Sequence, residues 1–309
     1  MTGEIVQLNA ESQTAQVPGA TELRHMLLSA VSCENTRRNY AKALDELFAL
    51  SAERHQPFSR QLLMDYRAAL LERGLGASTI NVRLSAIRKL IGEARRNGWI
   101  GAAEAAELAD VPNVHQHGSR LGNWLTREQA RELLSVPDRT TLKGQRDYCI
   151  LALLIGCALR RAELAALKLE EIQLRENRWV IADLIGKGGR VRTVAVPLWV
   201  KKGIDEWTRA AGIRSGRLLR PVSKSNYVCG EALSDWTVWK VVESSAQEIG
   251  IEHFGAHDLR RTCAKLCRKS GGDLEQIKFL LGHSSIQTTE RYLGSEQEIA
   301  VAVNDNLGI

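Results

Sequence analysis

The chain has 309 residues, with 42 Lys and Arg against 36 Asp and Glu, a formal net charge of +6 and a pI near 9.1. That length suits two compact domains, and the basic balance points toward a polyanionic partner. No charged-then-apolar leader opens the chain, and no apolar run approaches the roughly eighteen residues of a membrane span, so secretion and membrane insertion are not expected.

Basic and acidic residues balance through Asp110, which places the surplus in the C-terminal two-thirds. The cysteines at 33, 149, 157, 229, 263 and 267 form no CxxC pair, and most sit among apolar neighbours and read as small core residues of a reducing compartment. Cys263 and Cys267 fall four apart on an expected helix. No second Cys or His pair at zinc spacing follows them, so a core role is expected there and no metal site.

Residues 1–19 are polar and aperiodic and read as a flexible arm. Leu23, Met26, Leu27 and Ala30 then recur at helical spacing, and Tyr40, Leu44, Leu47 and Phe48 form a second stripe with Arg37, Arg38 and Lys42 on the other side. A third helix is predicted over 60–72, stopped at Arg73-Gly74. A fourth opens near Ser78, with Val82, Leu84, Ile87, Leu90 and Ile91 inward and Arg83, Arg88, Lys89, Arg95 and Arg96 outward. A short Ala/Glu-rich helix over 102–108 completes an all-helical unit, residues 20–110. Basic outer faces are ordinarily solvated surface; facing a duplex, they would hold phosphates.

Residues 111–122 lose the apolar period and read as a linker, with His115 and His117 as linker polarity. Thr126 and Gln129 form a capping box that opens the second domain, residues 123–309. An apolar run over 148–155 belongs in a core, and Arg160 emerges from it directly, one helical turn before Glu163. From Arg178 the period becomes alternating, through Trp179 and Ile181 and then Val191, Thr193, Ala195 and Pro197. The turn 185–190 between these two strands carries Lys187. Trp236, Trp239, Val241 and Val242 mark another packed helix. His257 and Arg260 share one face at the start of the next. Asp273 and Gln276 cap a helix that Gly282 stops; His283 follows, and Tyr292 stands nine residues further on.

The second domain thus presents Arg160, Lys187, His257, Arg260, His283 and Tyr292. Two arginines can hold the nonbridging oxygens of a phosphodiester and stabilise the charge added in its transition state. A phenol can attack phosphorus, while lysine and histidine move protons. The segments Ala158-Leu159-Arg160-Arg161-Ala162-Glu163-Leu164, Gly186-Lys187-Gly188, His257-Asp258-Leu259-Arg260 and Leu280-Leu281-Gly282-His283, with Tyr292, resemble in order and separation the signature boxes of the tyrosine recombinase (phage integrase) family. Thr36, Tyr40 and the helix around Ser78 to Arg88 resemble that family's core-binding domain.

The resemblance implies a mainly α protein of two-domain, Xer-like form. It would have an all-helical SAM-like core-binding domain and a mostly α catalytic domain with a small antiparallel sheet, the DNA breaking-rejoining fold. It also implies site-specific cleavage and rejoining of double-stranded DNA through a 3′-phosphotyrosyl intermediate, without cofactor, metal or ATP. Arg160 and Arg260 would hold the scissile phosphate and Lys187 would protonate the 5′-oxygen. His257 and His283 would assist proton transfer, Tyr292 would be the nucleophile, and Glu163 would support Arg160. Arg37, Arg38, Lys42, Arg83, Arg88 and Lys89 are the candidate DNA contacts of the first domain. A short apolar segment over 297–303 would dock on a neighbouring protomer in a homotetramer on DNA, in the cytoplasm of a bacterium or phage host. Ala158 stands where glycine is common in the family. Two other readings use the same residues: a type IB topoisomerase, and a DNA-binding regulator on the same fold that no longer cleaves.

Overall fold

The computed structural model describes residues 19–115, 123–186 and 189–294. The chain divides into two compact units, Met1–Ser119 and Arg120–Ile309. Among its described residues the first holds five helices: α1 (Ala20–Ser29), α2 (Glu34–Arg54), α3 (Arg60–Glu72), α4 (Ala77–Arg96) and α5 (Ala102–Ala109). Ser59 caps α3 by accepting from the Leu62 N–H at 3.2 Å, and His55 ends α2 in the left-handed conformation. Leu47, Leu62, Leu63, Tyr66, Leu70, Ile80, Leu84, Ile87 and Ile91 form its main core, with Leu27, Leu44 and Leu90 in a smaller cluster.

The expected outer face of α4 needs correcting. Val82 is 41% exposed, whereas Arg83 is only 8% exposed. Arg83 lies three residues after Ile80 and four before Ile87, so helical phase carries it inward with them. Its Nε and Nη2 meet both carboxylate oxygens of Glu46 at 2.8 and 3.2 Å, and Tyr66 donates to the same carboxylate at 3.1 Å. Arg83 is therefore committed to a core ion pair. Arg88 is half-buried and donates to the Ala109 and Val111 carbonyls and to Asn113, tying the chain beyond α5 to α4. Lys89 pairs with Glu93 at 2.7 Å. Arg37, Arg38 and Lys42 remain exposed.

The second unit has α6 (Arg127–Ser135), α7 (Leu142–Cys157), α8 (Arg161–Ala166), a 3-10 turn at Leu169–Glu171 and strands β1 (Ile172–Arg175), β2 (Arg178–Ile185) and β3 (Val191–Ala195). These are followed by α9 (Leu198–Ala210), α10 (Asp235–Glu248), α11 (Ala256–Lys269), α12 (Leu274–Leu281) and α13 (Ile286–Leu293). The Thr126 capping box is formed, with Gln129 N–H on Thr126 Oγ1 at 3.2 Å and the return bond at 2.9 Å. Helix α7 is the central rod: every residue from Cys149 to Leu154 is fully buried. It packs against α6, α9 and α11.

The sheet is antiparallel in the order β1-β2-β3. Strand β1 carries no alternation to read, because Gln173, Leu174 and Arg175 are all exposed. Left-handed Glu176 and Asn177 form the tight turn into β2. The parity expected for β3 is reversed: Val191 is 61% exposed, while Val194 and Val196 are buried. A bulge in β2 between Ile181 and Leu184, with Asp183 at φ 52°, shifts the register. On β3 itself Arg192 and Val194, two residues apart, share the inner face. In α10, Val238, Val241 and Val242 are buried, but Trp236 is 62% exposed, so it is a surface residue and not part of the packing face. Among the described residues no helix is long and apolar enough to cross a membrane.

Burial disfavours the ionised form of Glu46, yet the Arg83 hydrogen bonds and charge outweigh it and hold the carboxyl below its ordinary pKa of 4.5. A carboxylate depressed in the folded state contributes stability above its unfolded pKa and loses it as pH falls through the folded value. Arg83→Ala, which leaves Tyr66 and Arg73 on Glu46, is expected to cost about 1–3 kcal/mol of unfolding free energy in urea. The variant's stability should also decline less steeply below pH 4.5. An unchanged urea midpoint would show that the pair contributes nothing net.

Candidate active site

Helix α7 ends at Ala158, which adopts the left-handed conformation at φ 51°, and turns the chain so that Arg160 stands in extended backbone as the N-cap of α8. Glu163, one turn on, has a 5% exposed side chain. It accepts from the Arg160 backbone N–H at 2.8 Å and from Arg160 Nη1 at 2.6 Å. Burial alone would raise its pKa, but hydrogen bonds from Arg192 and Arg160 pull it down to about 2. Arg160 Nη2 continues to the Leu281 carbonyl at 3.4 Å.

Arg260, on α11, is only 1% exposed. It donates Nη1 to the Ala158 carbonyl at 2.5 Å and Nη2 to the Leu281 carbonyl. Arg160 and Arg260 thus meet at one acceptor, the last carbonyl of α12. Burial and the charge of Arg160 lower the Arg260 pKa to about 10. A guanidinium weakened in this way marks a place where positive charge exceeds its local neutralisation.

Tyr292 lies on α13, and Leu293 on the same helix packs with Cys263, Ala264, Ile277 and Leu281 beneath it. Its hydroxyl donates to the His257 carbonyl at 3.2 Å. The rings of His257 and His283 stand edge-on to the phenol, with centroids 5.3 and 5.2 Å away, and the Arg261 guanidinium lies 4.9 Å from its centroid. Burial raises the Tyr292 pKa to about 12 against the opposing charges of Arg260 and Arg261, so the phenol is protonated at neutral pH. Burial, then Arg260 and Arg160, lower His283 to about 4; partial burial, Arg261 and Arg260 lower His257. Both imidazoles are neutral at pH 7 and can accept a proton. His283 Nδ1 is within 3.1 Å of Thr289 Oγ1, a fully buried hydroxyl. Gly282, left-handed at φ 61°, ends α12 and turns the chain toward His283.

The structure therefore gathers Arg160, Glu163, His257, Arg260, His283 and Tyr292. Lys187 and the segment 297–303 lie outside the described residues. Sequence reasoning did not find Arg192 or Arg261. Arg261 sits beside the recognised box on α11, and its Nε is buried without a hydrogen bond. Cys263 and Cys267 take core positions on the same helix. Among the described residues no three His, Cys, Asp or Glu side chains are grouped to hold a metal ion.

The phage integrase family model matches residues 123–298, and the phage integrase N-terminal SAM-like domain model matches residues 22–98. The chain belongs to the phage integrase, or tyrosine recombinase, family. A protein named tyrosine recombinase from Synechococcus elongatus is 28% identical over 93% of this chain and 92% of its own length. Tyrosine recombinase XerD of Pseudomonas aeruginosa is 29% identical over 84% and 86%. Among solved structures, XerH site-specific recombinase bound to a palindromic difH substrate shares the fold. It has a TM-score of 0.70 at 20% identity, covering 90% of this chain and 82% of that one.

His283 provides a pH test. The unfolded imidazole titrates near the ordinary 6.5 and the folded one near 4, so the unfolded chain binds the proton first as pH falls. The stability due to neutral His283 is complete above pH 6.5 and is lost toward pH 4. NMR titration is expected to place the His283 midpoint near 4, and His283→Gln should flatten the acid slope of stability in that window. A midpoint at or above 6.5 would contradict the packing of His283 against the arginines.

Proposed function

We propose that the chain is a site-specific DNA recombinase that cleaves and rejoins strands through a covalent 3′-phosphotyrosyl bond. The carrying observation is the meeting of Arg160 and Arg260 at the Leu281 carbonyl, beside a protonated Tyr292 flanked by two neutral imidazoles. Arg160, Arg192 and Arg260 against Glu163 leave a net charge of about +2, which suits the dianionic pentacoordinate transition state of a phosphodiester.

In this reading the phosphate enters against Arg160 and Arg260, and its charge draws the histidines toward protonation. Tyr292 oxygen attacks phosphorus as its proton passes to His257 or His283, and the bond from phosphorus to the 5′-oxygen breaks. Lys187 protonates the departing oxygen. The phosphotyrosyl bond retains the energy of the broken linkage, so attack by a 5′-hydroxyl reverses the step without ATP. Exposed Arg37, Arg38 and Lys42 of the first unit would contact the duplex backbone. The segment 297–303 would link protomers into a tetramer.

DNA nicked beside the cleavage position loses its short leaving strand and traps the adduct. The wild-type chain is expected to form an SDS-resistant complex, undiminished by EDTA, that Tyr292→Phe abolishes; Arg260→Ala should slow its formation about 100- to 1,000-fold. An adduct that survives Tyr292→Phe, or none from the wild type, would overturn the mechanism. Recombination needing two copies of one site distinguishes the recombinase from a topoisomerase that relaxes DNA as a monomer.

A further inference from the structure

Arg192 belongs to none of the sequence boxes, yet it touches two of them. Its side chain is 9% exposed. Nη1 and Nη2 donate to the two carboxylate oxygens of Glu163 at 2.9 and 2.8 Å, and Nε donates to the Leu280 carbonyl at 3.2 Å. A Cβ built at Gly282 would lie 2.9 Å from Arg192 Cδ, and one at Gly186 would lie 3.2 Å from Nη1 of both Arg160 and Arg192. The two glycines therefore permit the backbone at Gly282 and at Gly186 to approach this side chain closely.

The Glu163 carboxylate is filled from two directions. Oε1 accepts Arg160 Nη1 and Arg192 Nη1, and Oε2 accepts the Arg160 backbone N–H and Arg192 Nη2. Arg192 holds the carboxylate by both oxygens, so Arg160 can spend only Nη1 on it. The other N–H groups of Arg160 remain for Leu281 and for a ligand. Without Arg192, the same carboxylate can take Arg160 in a bidentate pair, the geometry that a guanidinium and a carboxylate favour. Arg160 would then be turned from the cleft and its charge neutralised.

We infer that Arg192 is a positioning residue for the phosphodiester chemistry: it occupies Glu163 so that Arg160 keeps a free edge for the scissile phosphate. This inference rests on the function proposed above. It requires that Arg192 and Glu163 act as one neutral unit, leaving Arg160 and Arg260 as the two uncompensated charges.

The test is single-turnover adduct formation by the full chain on the nicked duplex, with DNA affinity and thermal unfolding measured alongside. Arg192→Gln is expected to bind DNA within about threefold of wild type and to cleave about 100-fold more slowly. Arg192→Lys, which keeps the charge without the fork, should fall between them. The decisive variant is Arg192→Gln with Glu163→Gln. Removing the carboxylate frees Arg160 again, so the double variant should cleave at least about tenfold faster than Arg192→Gln alone. A residue that merely supports the fold gives the opposite, since each loss adds to the other. Wild type forming an adduct while Arg192→Gln cleaves within about threefold of it would overturn the role of Arg192 and leave the proposed function standing. A double variant no faster than Arg192→Gln would overturn it equally. No adduct from the wild type removes both proposals. If Arg192→Gln fails to fold, Arg192→Lys with and without Glu163→Gln carries the same comparison.

Discussion

Two guanidiniums from distant parts of the chain converge on the carbonyl of Leu281, and the remainder of the catalytic unit can be understood from the difficulty of keeping them there. Buried positive charge repels its like and resists desolvation. The fold answers with the negative end of α12, whose final carbonyls lack partners within the helix. Leu280 takes Arg192 and Leu281 takes Arg160 and Arg260, while Ala158, at the end of α7, holds the second arm of Arg260. Glu163 supplies the single full negative charge among these contacts. Charge compensation is incomplete, and the shortfall is felt throughout the neighbourhood. Burial first, and the neighbouring arginines second, lower Arg260, His257 and His283, while at Tyr292 burial outweighs the arginines and the phenol keeps its proton.

On the function proposed above, the scissile phosphate would itself complete such a site. Its phenol donates to the His257 carbonyl, and burial with the nearby arginines keeps both imidazoles neutral. An anion placed between the arginines alters both conditions together, since it relieves repulsion on the histidines and offers the phenol an electrophile. On that reading, the excess of positive charge held by the fold would stabilise a bound phosphate. Strain of this kind is ordinarily tolerated only where the surrounding structure is rigid, and the fully buried middle of α7 provides that support.

Much of this was legible from residue order. Arg160, His257, Arg260, His283 and Tyr292 were recognisable because chemistry-bearing side chains recur beside glycine stops and caps; Thr126 and Asp273 open their helices and Gly282 closes one as their types dictate. The failures have a common origin in phase. Arg83 was placed outside because basic residues usually are, although its position between Ile80 and Ile87 put it on the core stripe. Arg192 was lost because Val191, Thr193 and Ala195 were read as the inner face of β3, whereas Arg192, Val194 and Val196 hold it. Trp236 was grouped with Trp239, Val241 and Val242 on one packed face, but the buried face of its helix runs through Val238, Val241 and Val242 and leaves it outside. For the two arginines a partner remote in sequence decided the outcome: Glu46 for Arg83 and Glu163 for Arg192. Strand β1 offered no pattern, since three of its four residues face outward.

The short path from Leu281 to Tyr292 has an evolutionary consequence. The acceptor for both arginines and the phenol are separated by one glycine turn and one eight-residue helix. One residue inserted within α13 ahead of Tyr292 would rotate the phenol by about 100° around the helix axis, away from His257 and His283. Surface turns elsewhere can lengthen at little cost. Here the spacing works as a ruler, and descent can alter the residues along it far more readily than their number.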